Sequence, residues 1–157
     1  MSPVTPRPPS LLAQPAYLAS QVSRYGRREF ERALGERGLR LIHHGVLTAL
    51  DDFGPLAQQQ LADSLDHDKS HLVRHIDHLE SHSLVTRVPD PIDRRRNQVA
   101  ITDAGRAVLR ELRTAERRSQ QGLLDALTPE EQQALESLLR RVLVANDSVR
   151  LGARQEA

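Results

Sequence analysis

Apolar residues recur at helical spacing through most of this chain, and the period breaks once, between residues 84 and 101. There Leu84-Val85-Thr86-Arg87-Val88 and Gln98-Val99-Ala100-Ile101 place β-branched residues at alternate positions on either side of Pro89-Asp90-Pro91-Ile92-Asp93-Arg94-Arg95-Arg96-Asn97. Two such segments joined by a charged, proline-stiffened loop predict a β-hairpin, a wing, on an otherwise helical protein. The fold class expected is mainly α with a small β-wing.

With 157 residues the chain has room for one domain, or one compact domain with added arms for pairing with a second copy, and not for two independent globular units. No apolar run approaches the roughly 18 residues of a membrane span. Zero cysteines exclude a disulfide framework, a thiolate zinc site and a thiol nucleophile or redox sensor. The start MSPVTPRPPS lacks the apolar core of a secretory signal, so a cytoplasmic location is expected. Two Tyr, two Phe and no Trp leave little for stacking unpaired bases, which argues against single-stranded nucleic acid and against RRM-like RNA binding.

Five prolines among residues 1–15 predict a disordered arm. A first helix is expected from Ala16 to about Glu36, closed by Gly35 and Gly38, and a second from about Leu39 to Asp52 on the face of Leu39, Ile42, Val46, Ala49, Leu50 and Phe53. A short third helix covers about Leu56 to Ser64. After a turn in which Asp66 tolerates left-handed backbone and Asp68 serves as N-cap, a fourth helix runs from Lys69 to about His82 with the stripe Leu72, Ile76 and Leu79. This is a helix-turn-helix followed by a wing. Thr102 and Asp103 open a long helix with Ala104, Val108, Leu112 and Ala115 on one face. Thr128-Pro129-Glu130-Glu131 is an N-cap, a proline at the first turn and a capping-box Glu before Leu135, Leu138, Leu139, Val142 and Leu143. The surplus apolar faces of the terminal helices point to pairing with another subunit. The domain organisation expected is an arm over 1–15, a dimerisation helix over 16–38, a winged helix-turn-helix over 39–102 and dimerisation helices over 103–151.

Net charge is +1, and residues 54–102 hold six Lys and Arg against seven Asp and Glu, so any nucleic-acid affinity must come from distribution. On the fourth helix Ser70 and Arg74 flank a row of His71, His75, His78 and His82 that diverges from the apolar stripe. Polar side chains on the first turns of a helix that follows a tight turn suit reading of a major groove. Arg94, Arg95 and Arg96 at a hairpin tip suit a minor groove, and Asp93 can brace Arg95 by an ion pair.

The pattern resembles the MarR family of bacterial winged-helix regulators over about Leu39 to Leu109. The matching residues are Gln60-Leu61-Ala62, Asp68-Lys69-Ser70, Arg74, Leu79-Glu80, Leu84-Val85, Asp90-Pro91, Asp93-Arg94-Arg95, and Ile101-Thr102 with Gly105. The resemblance implies a homodimer that binds duplex DNA, a repressor released from a pseudo-palindromic operator by a small molecule. The DNA contacts expected are Gln58, Lys69, Ser70, His71, Arg74, His75, Arg94, Arg95 and Arg96, with Asp93 bracing Arg95. It also implies effectors, often small aromatic or phenolic anions, between the dimerisation helices and the reading head, where Tyr25, Arg28, His43 and Arg113 are the polar candidates. Ser83 and Asp66 stand where the family commonly has Gly, His71 where it has a small Thr or Ser, and the cysteine of peroxide-sensing members is missing.

No catalytic residue, cofactor or metal is expected. His67-Asp68-Lys69-Ser70-His71 imitates a zinc-peptidase motif, and His71/His75 and His78/His82 have helical metal-pair spacing, but Asp68 is shorter than the usual Glu and no third ligand is identifiable. His43 falls on the apolar face of its helix and is expected as a satisfied core histidine, with His44 pointing away. The alternatives are a winged-helix module that binds protein and a histidine-based metal-responsive regulator.

Overall fold

The structure, a computed structural model, describes residues 6–155, with side-chain environments through residue 148. Helices α1 (Pro9–Leu12), α2 (Pro15–Gly35) and α3 (Leu41–Phe53) are followed by strand β1 (Leu56–Ala57), helices α4 (Gln58–Ser64) and α5 (Lys69–Ser81), strands β2 (Val85–Pro89) and β3 (Asn97–Ile101), and helices α6 (Asp103–Leu124) and α7 (Pro129–Gln155). Residues 1–5 of the expected arm lie outside the described residues. The rest of that arm departs from the expectation: Pro9–Leu12 is a helical turn with proline at its start, and Pro15 opens α2. Proline is tolerated there because the first turn of a helix has no use for its missing N–H.

The chain divides after Ser119 into two compact units. In the first, Leu34, Leu47, Leu50, Leu61, Leu72, Ile76, Leu79, Val85, Val99, Leu109 and Leu112 form a continuous buried core drawn from seven helices and strands of the head and its flanks. Burial on α6 falls on Gly105, Leu109, Leu112 and Ser119, so Ala104 is exposed and Val108 and Ala115 only border the core. Phe53, expected on the core face, is 69% exposed. The second unit comprises the end of α6 and all of α7, and none of its residues 120–148 is buried. A reciprocal capping box starts α7: Thr128 N–H donates to Glu131 Oε2 at 2.9 Å and Glu131 N–H to Thr128 Oγ1 at 3.3 Å.

The sheet has three strands, not two, in the order β1-β3-β2, all antiparallel. Leu56 and Ala57, read from sequence as helix, pair instead with Val99 and Gln98 and anchor the wing's second strand to the entry of α4. Asp66 and Ser83 adopt left-handed backbone at φ 49° and 58°. Each follows a helix whose last carbonyls it helps satisfy, with His67 N–H on Ala62 O at 2.9 Å and Leu84 N–H on Leu79 O at 2.9 Å. The two turns therefore set the direction of the chain into α5 and out of it into the wing.

Candidate nucleic-acid interface

Helix α5 begins at Asp68, whose carboxylate accepts from the amides of Ser70 at 2.8 Å and His71 at 3.2 Å and from the Ser70 hydroxyl. These bonds, the Ser70 hydroxyl first, hold the Asp68 carboxyl below the usual range. The Ser70 hydroxyl proton is thus committed to the cap, leaving its oxygen as an acceptor. Lys69, Ser70, His71 and Arg74 are exposed, while Leu72, Ile76 and Leu79 are fully buried on the opposite side. Gln58 opens α4 and is half-buried.

At the wing tip, Asp90 organises the loop. Its Oδ1 accepts from the amides of Ile92 at 2.7 Å and Asp93 at 3.0 Å, and its Oδ2 from Gln98 Nε2 at 3.0 Å. Those amides, Asp93 first, hold the Asp90 carboxyl below its usual range. Asp93 accepts from Arg95 through both the backbone N–H and Nε at 3.1 Å, and Arg96 Nε lies 3.6 Å from its other oxygen. Arg95 is nevertheless 91% exposed, so the pair orients the guanidinium without covering it. Arg94 is exposed and has no ion pair among the described residues.

One side chain ties these two parts together. Arg87 on β2 donates through Nη2 to Asp77 Oδ1 at 2.6 Å and through Nη1 to Glu80 Oε2, both on α5, while its own N–H reaches Glu80 Oε1 at 3.2 Å. The base of the wing is thus tied to the helix by charge-assisted hydrogen bonds.

Residues 41–96 match the family model described as the MarR family. A crystal structure of a probable transcriptional regulator from Pseudomonas aeruginosa is 30% identical, with a TM-score of 0.74, covering 84% of this chain and 98% of that one. The chain belongs to the MarR family. It is a winged helix-turn-helix transcriptional regulator and not an enzyme. The HTH-type transcriptional repressor NicR of Pseudomonas putida is 28% identical over 119 residues, 76% of this chain and 75% of NicR. BpsR of Bordetella bronchiseptica, whose structure concerns regulation of DNA binding by 6-hydroxynicotinic acid, is 25% identical at a TM-score of 0.74, covering 88% of this chain and 97% of that one.

Against this MarR head the expected histidine row is split. His71 stands exposed at the front of α5, but His75 and His78 turn toward α3. His75 Nδ1 lies 3.0 Å from His43 Nε2, the His78 ring stacks on His43 with centroids 4.6 Å apart, and His78 Nε2 donates to Gly38 O at 2.9 Å. The α5 helix carries histidines at every third or fourth residue, and one of its flanks meets α3. The sequence spacing shows the row but not where that contact begins. His44 does not point away: it meets Phe30 edge-on at 4.9 Å, and its Nε2 lies 3.7 Å from Glu116 Oε2. Among the described residues no group of three or more His, Asp or Glu is arranged to hold a metal ion. No described helix is long and apolar enough to cross a membrane.

The four expected effector residues do not converge. Tyr25 accepts from Arg7 Nη2 at 3.0 Å, Arg28 is exposed, His43 is engaged with His75, and Arg113 is drawn to Asp51 at 2.9 Å and Asp52 at 3.5 Å. Tyr25, His43 and Arg113 each have a nearby partner of complementary chemistry, which composition alone does not reveal. A shallow cavity is lined instead by Glu31, Leu34, Leu39, Arg40, Leu41 and Ile42. Arg87 is not marked out by the sequence, and Asp90 enters there only as part of the family resemblance, without a role in the loop. Asp90 had a legible signal, an Asp before Pro at a hairpin tip that can form an Asx-turn. Arg87 had none, because its carboxylate partners belong to another element.

Proposed function

We propose that a homodimer of this chain represses transcription by holding a pseudo-palindromic duplex, with α5 in the major groove and the wing tip in the flanking minor groove. The observation that carries this is the Arg87 bridge, which joins the base of the wing to α5, the helix that exposes Lys69, Ser70, His71 and Arg74, while Arg94, Arg95 and Arg96 stand exposed at the wing tip. A polar helix and a basic hairpin joined in this way suit adjacent grooves of one duplex. Pairing is supported in the second unit by Leu138, Leu139, Val142 and Leu143 of α7, each more than half exposed, and separately in the first by Leu18 and Val22 of α2 at 41% and 44%. Two heads then require half-sites about 10 base pairs apart. Repression is read from the likeness to NicR, and release by a small aromatic carboxylate from the likeness to BpsR. The cavity beside Arg40 offers such a ligand a cation and aliphatic walls, with Glu31, also in its lining, as the group the carboxylate must avoid.

The test is binding to a duplex selected by the protein from a random pool and to an unselected duplex. Arg74→Ala is expected to weaken the selected complex about tenfold while leaving the unselected one nearly unchanged, as a base contact requires. Equal losses on both would reduce Arg74 to a phosphate contact, and a wild type that selects no sequence would overturn the proposal.

A further inference from the structure

Three helices of this chain begin with the same device, a side chain at the third helical position that accepts a hydrogen bond from the amide before the helix. In α4 it is Gln60, on Ala57 N–H at 2.9 Å, and in α7 it is Glu131, on Thr128 N–H at 2.9 Å. In α3 it is His43, whose Nδ1 accepts from Arg40 N–H at 3.1 Å. Gln or Glu is the usual choice and completes the cap. Histidine adds something these two helices lack, a second ring nitrogen directed at a neighbouring element.

The tautomers follow from the donors. An amide N–H can only donate, so His43 Nδ1 is bare and its proton is on Nε2. That proton points to His75 Nδ1 at 3.0 Å, which must then be bare in turn, placing the His75 proton on Nε2. His75 is half-exposed on α5, and its Nε2 has no hydrogen-bond partner among the described residues. We propose that His43 is a positioning residue for DNA recognition: its two hydrogen bonds fix His75 as the Nε2–H tautomer, so that α5 presents a neutral donor to an acceptor atom of the duplex. This rests on the proposed reading of α5 as the groove-reading helix.

The surroundings preserve the chain of bonds. His43 is 3% exposed, and burial, then the neighbouring His78, His75, Arg40 and His82, bring its pKa down to about 4. His75 is lowered by burial and by His67, Arg40, Arg74 and His78. The groups facing the pair are these cations and imidazoles, and the His78 ring that stacks on His43 is itself anchored to Gly38 O. A proton on His75 Nδ1 would face the proton on His43 Nε2, so the pair works as drawn only while both rings are neutral.

The test uses the full chain, the selected duplex and an unselected one, with nitrogen NMR of the imidazoles at about pH 8, where unperturbed histidines are neutral. Wild type is expected to show His75 with Nδ1 bare and Nε2 protonated. His43→Glu keeps an acceptor for Arg40 N–H but also turns an acceptor toward His75, so the His75 proton moves to Nδ1 and affinity for the selected duplex falls about tenfold. His43→Gln, with both an acceptor and a donor, restores affinity to within about threefold. Because His43→Glu buries a carboxylate, His75→Leu provides the same reading from the exposed side, with an expected loss of about tenfold. A loss confined to the selected duplex identifies a base edge as the acceptor, and an equal loss on both duplexes identifies a phosphate; either upholds the proposal. Wild-type His75 protonated on Nδ1, or unchanged affinity in both His43→Glu and His75→Leu, overturns it. A wild type that selects no duplex overturns the proposed function and this role with it, whereas a selective wild type with insensitive variants overturns this role alone.

Discussion

Helix α6 contains two glycines for which the same substitution should have opposite signs. A Cβ on Gly105 would lie 2.1 Å from the Leu84 carbonyl oxygen and 2.8 Å from Ile101 Cγ1, where an ordinary carbon-to-oxygen approach is about 3.3 Å. The carbonyl cannot retreat freely, because it accepts from Thr102 N–H at 3.1 Å and from Thr102 Oγ1 at 3.1 Å, and Thr102 Oγ1 in turn accepts from Gly105 N–H at 3.0 Å. Relieving the contact means shifting the start of β2 by about 1 Å, at an overpacking cost of about 1–3 kcal/mol, and loosening one or two hydrogen bonds of about 1 kcal/mol each. Against this stands the helix preference for Ala over Gly, about 1 kcal/mol. Gly105→Ala should therefore destabilise by about 1–4 kcal/mol. At Gly122 a Cβ meets no atom within 4 Å, so Gly122→Ala should stabilise by about 0.5–1 kcal/mol from helix preference alone. Urea unfolding at constant m-value separates the two. A Gly105→Ala variant within about 0.5 kcal/mol of wild type, near the scatter of ordinary surface substitutions, would refute the argument from close approach.

Acid should weaken the fold through His43: below about pH 6.5 the unfolded chain takes up a proton that folded His43, at about 4, refuses, so stability is full above 6.5 and declines toward pH 4 by up to about 3 kcal/mol. His75, also lowered, acts in the same direction, and His43→Gln should flatten the profile in urea titrations between about pH 7.5 and 5; equal slopes in both proteins would refute it. Arg95→Ala should lower the slope of log affinity against log salt by about one unit with the melting temperature unchanged, since its pair with Asp93 is exposed; an unchanged slope would remove Arg95 from the phosphates. Leu139→Glu, on the exposed stripe of α7, should give a monomeric mass by light scattering at micromolar concentration, where wild type should be dimeric; a monomeric wild type would refute the pairing surface.

What the sequence determined by itself is whatever lies within about four residues of its cause. Asp68 caps α5, Thr128 and Glu131 cap α7, and Asp66 and Ser83 turn left-handed, because the bonds involved join near neighbours along the chain. The wing was legible for the same reason, in alternating residues around a proline-rich tip. Tertiary structure alone decided the rest. Leu56 and Ala57 are extended because β3, the second strand of the wing, supplies their partners, a pairing between residues some forty positions apart that no local pattern encodes. Arg87 and Arg113 look like free cations in the sequence, yet each is taken up by carboxylates on a different element. The histidines of α5 share a periodicity, but only the angle at which α5 packs against α3 separates His71, left in solvent, from His75 and His78, held by His43. Periodicity fixes which residues share a helix face; the contact that gives a face its partner is made by chain that is distant in sequence, and it is there that the chemistry of α5 is set.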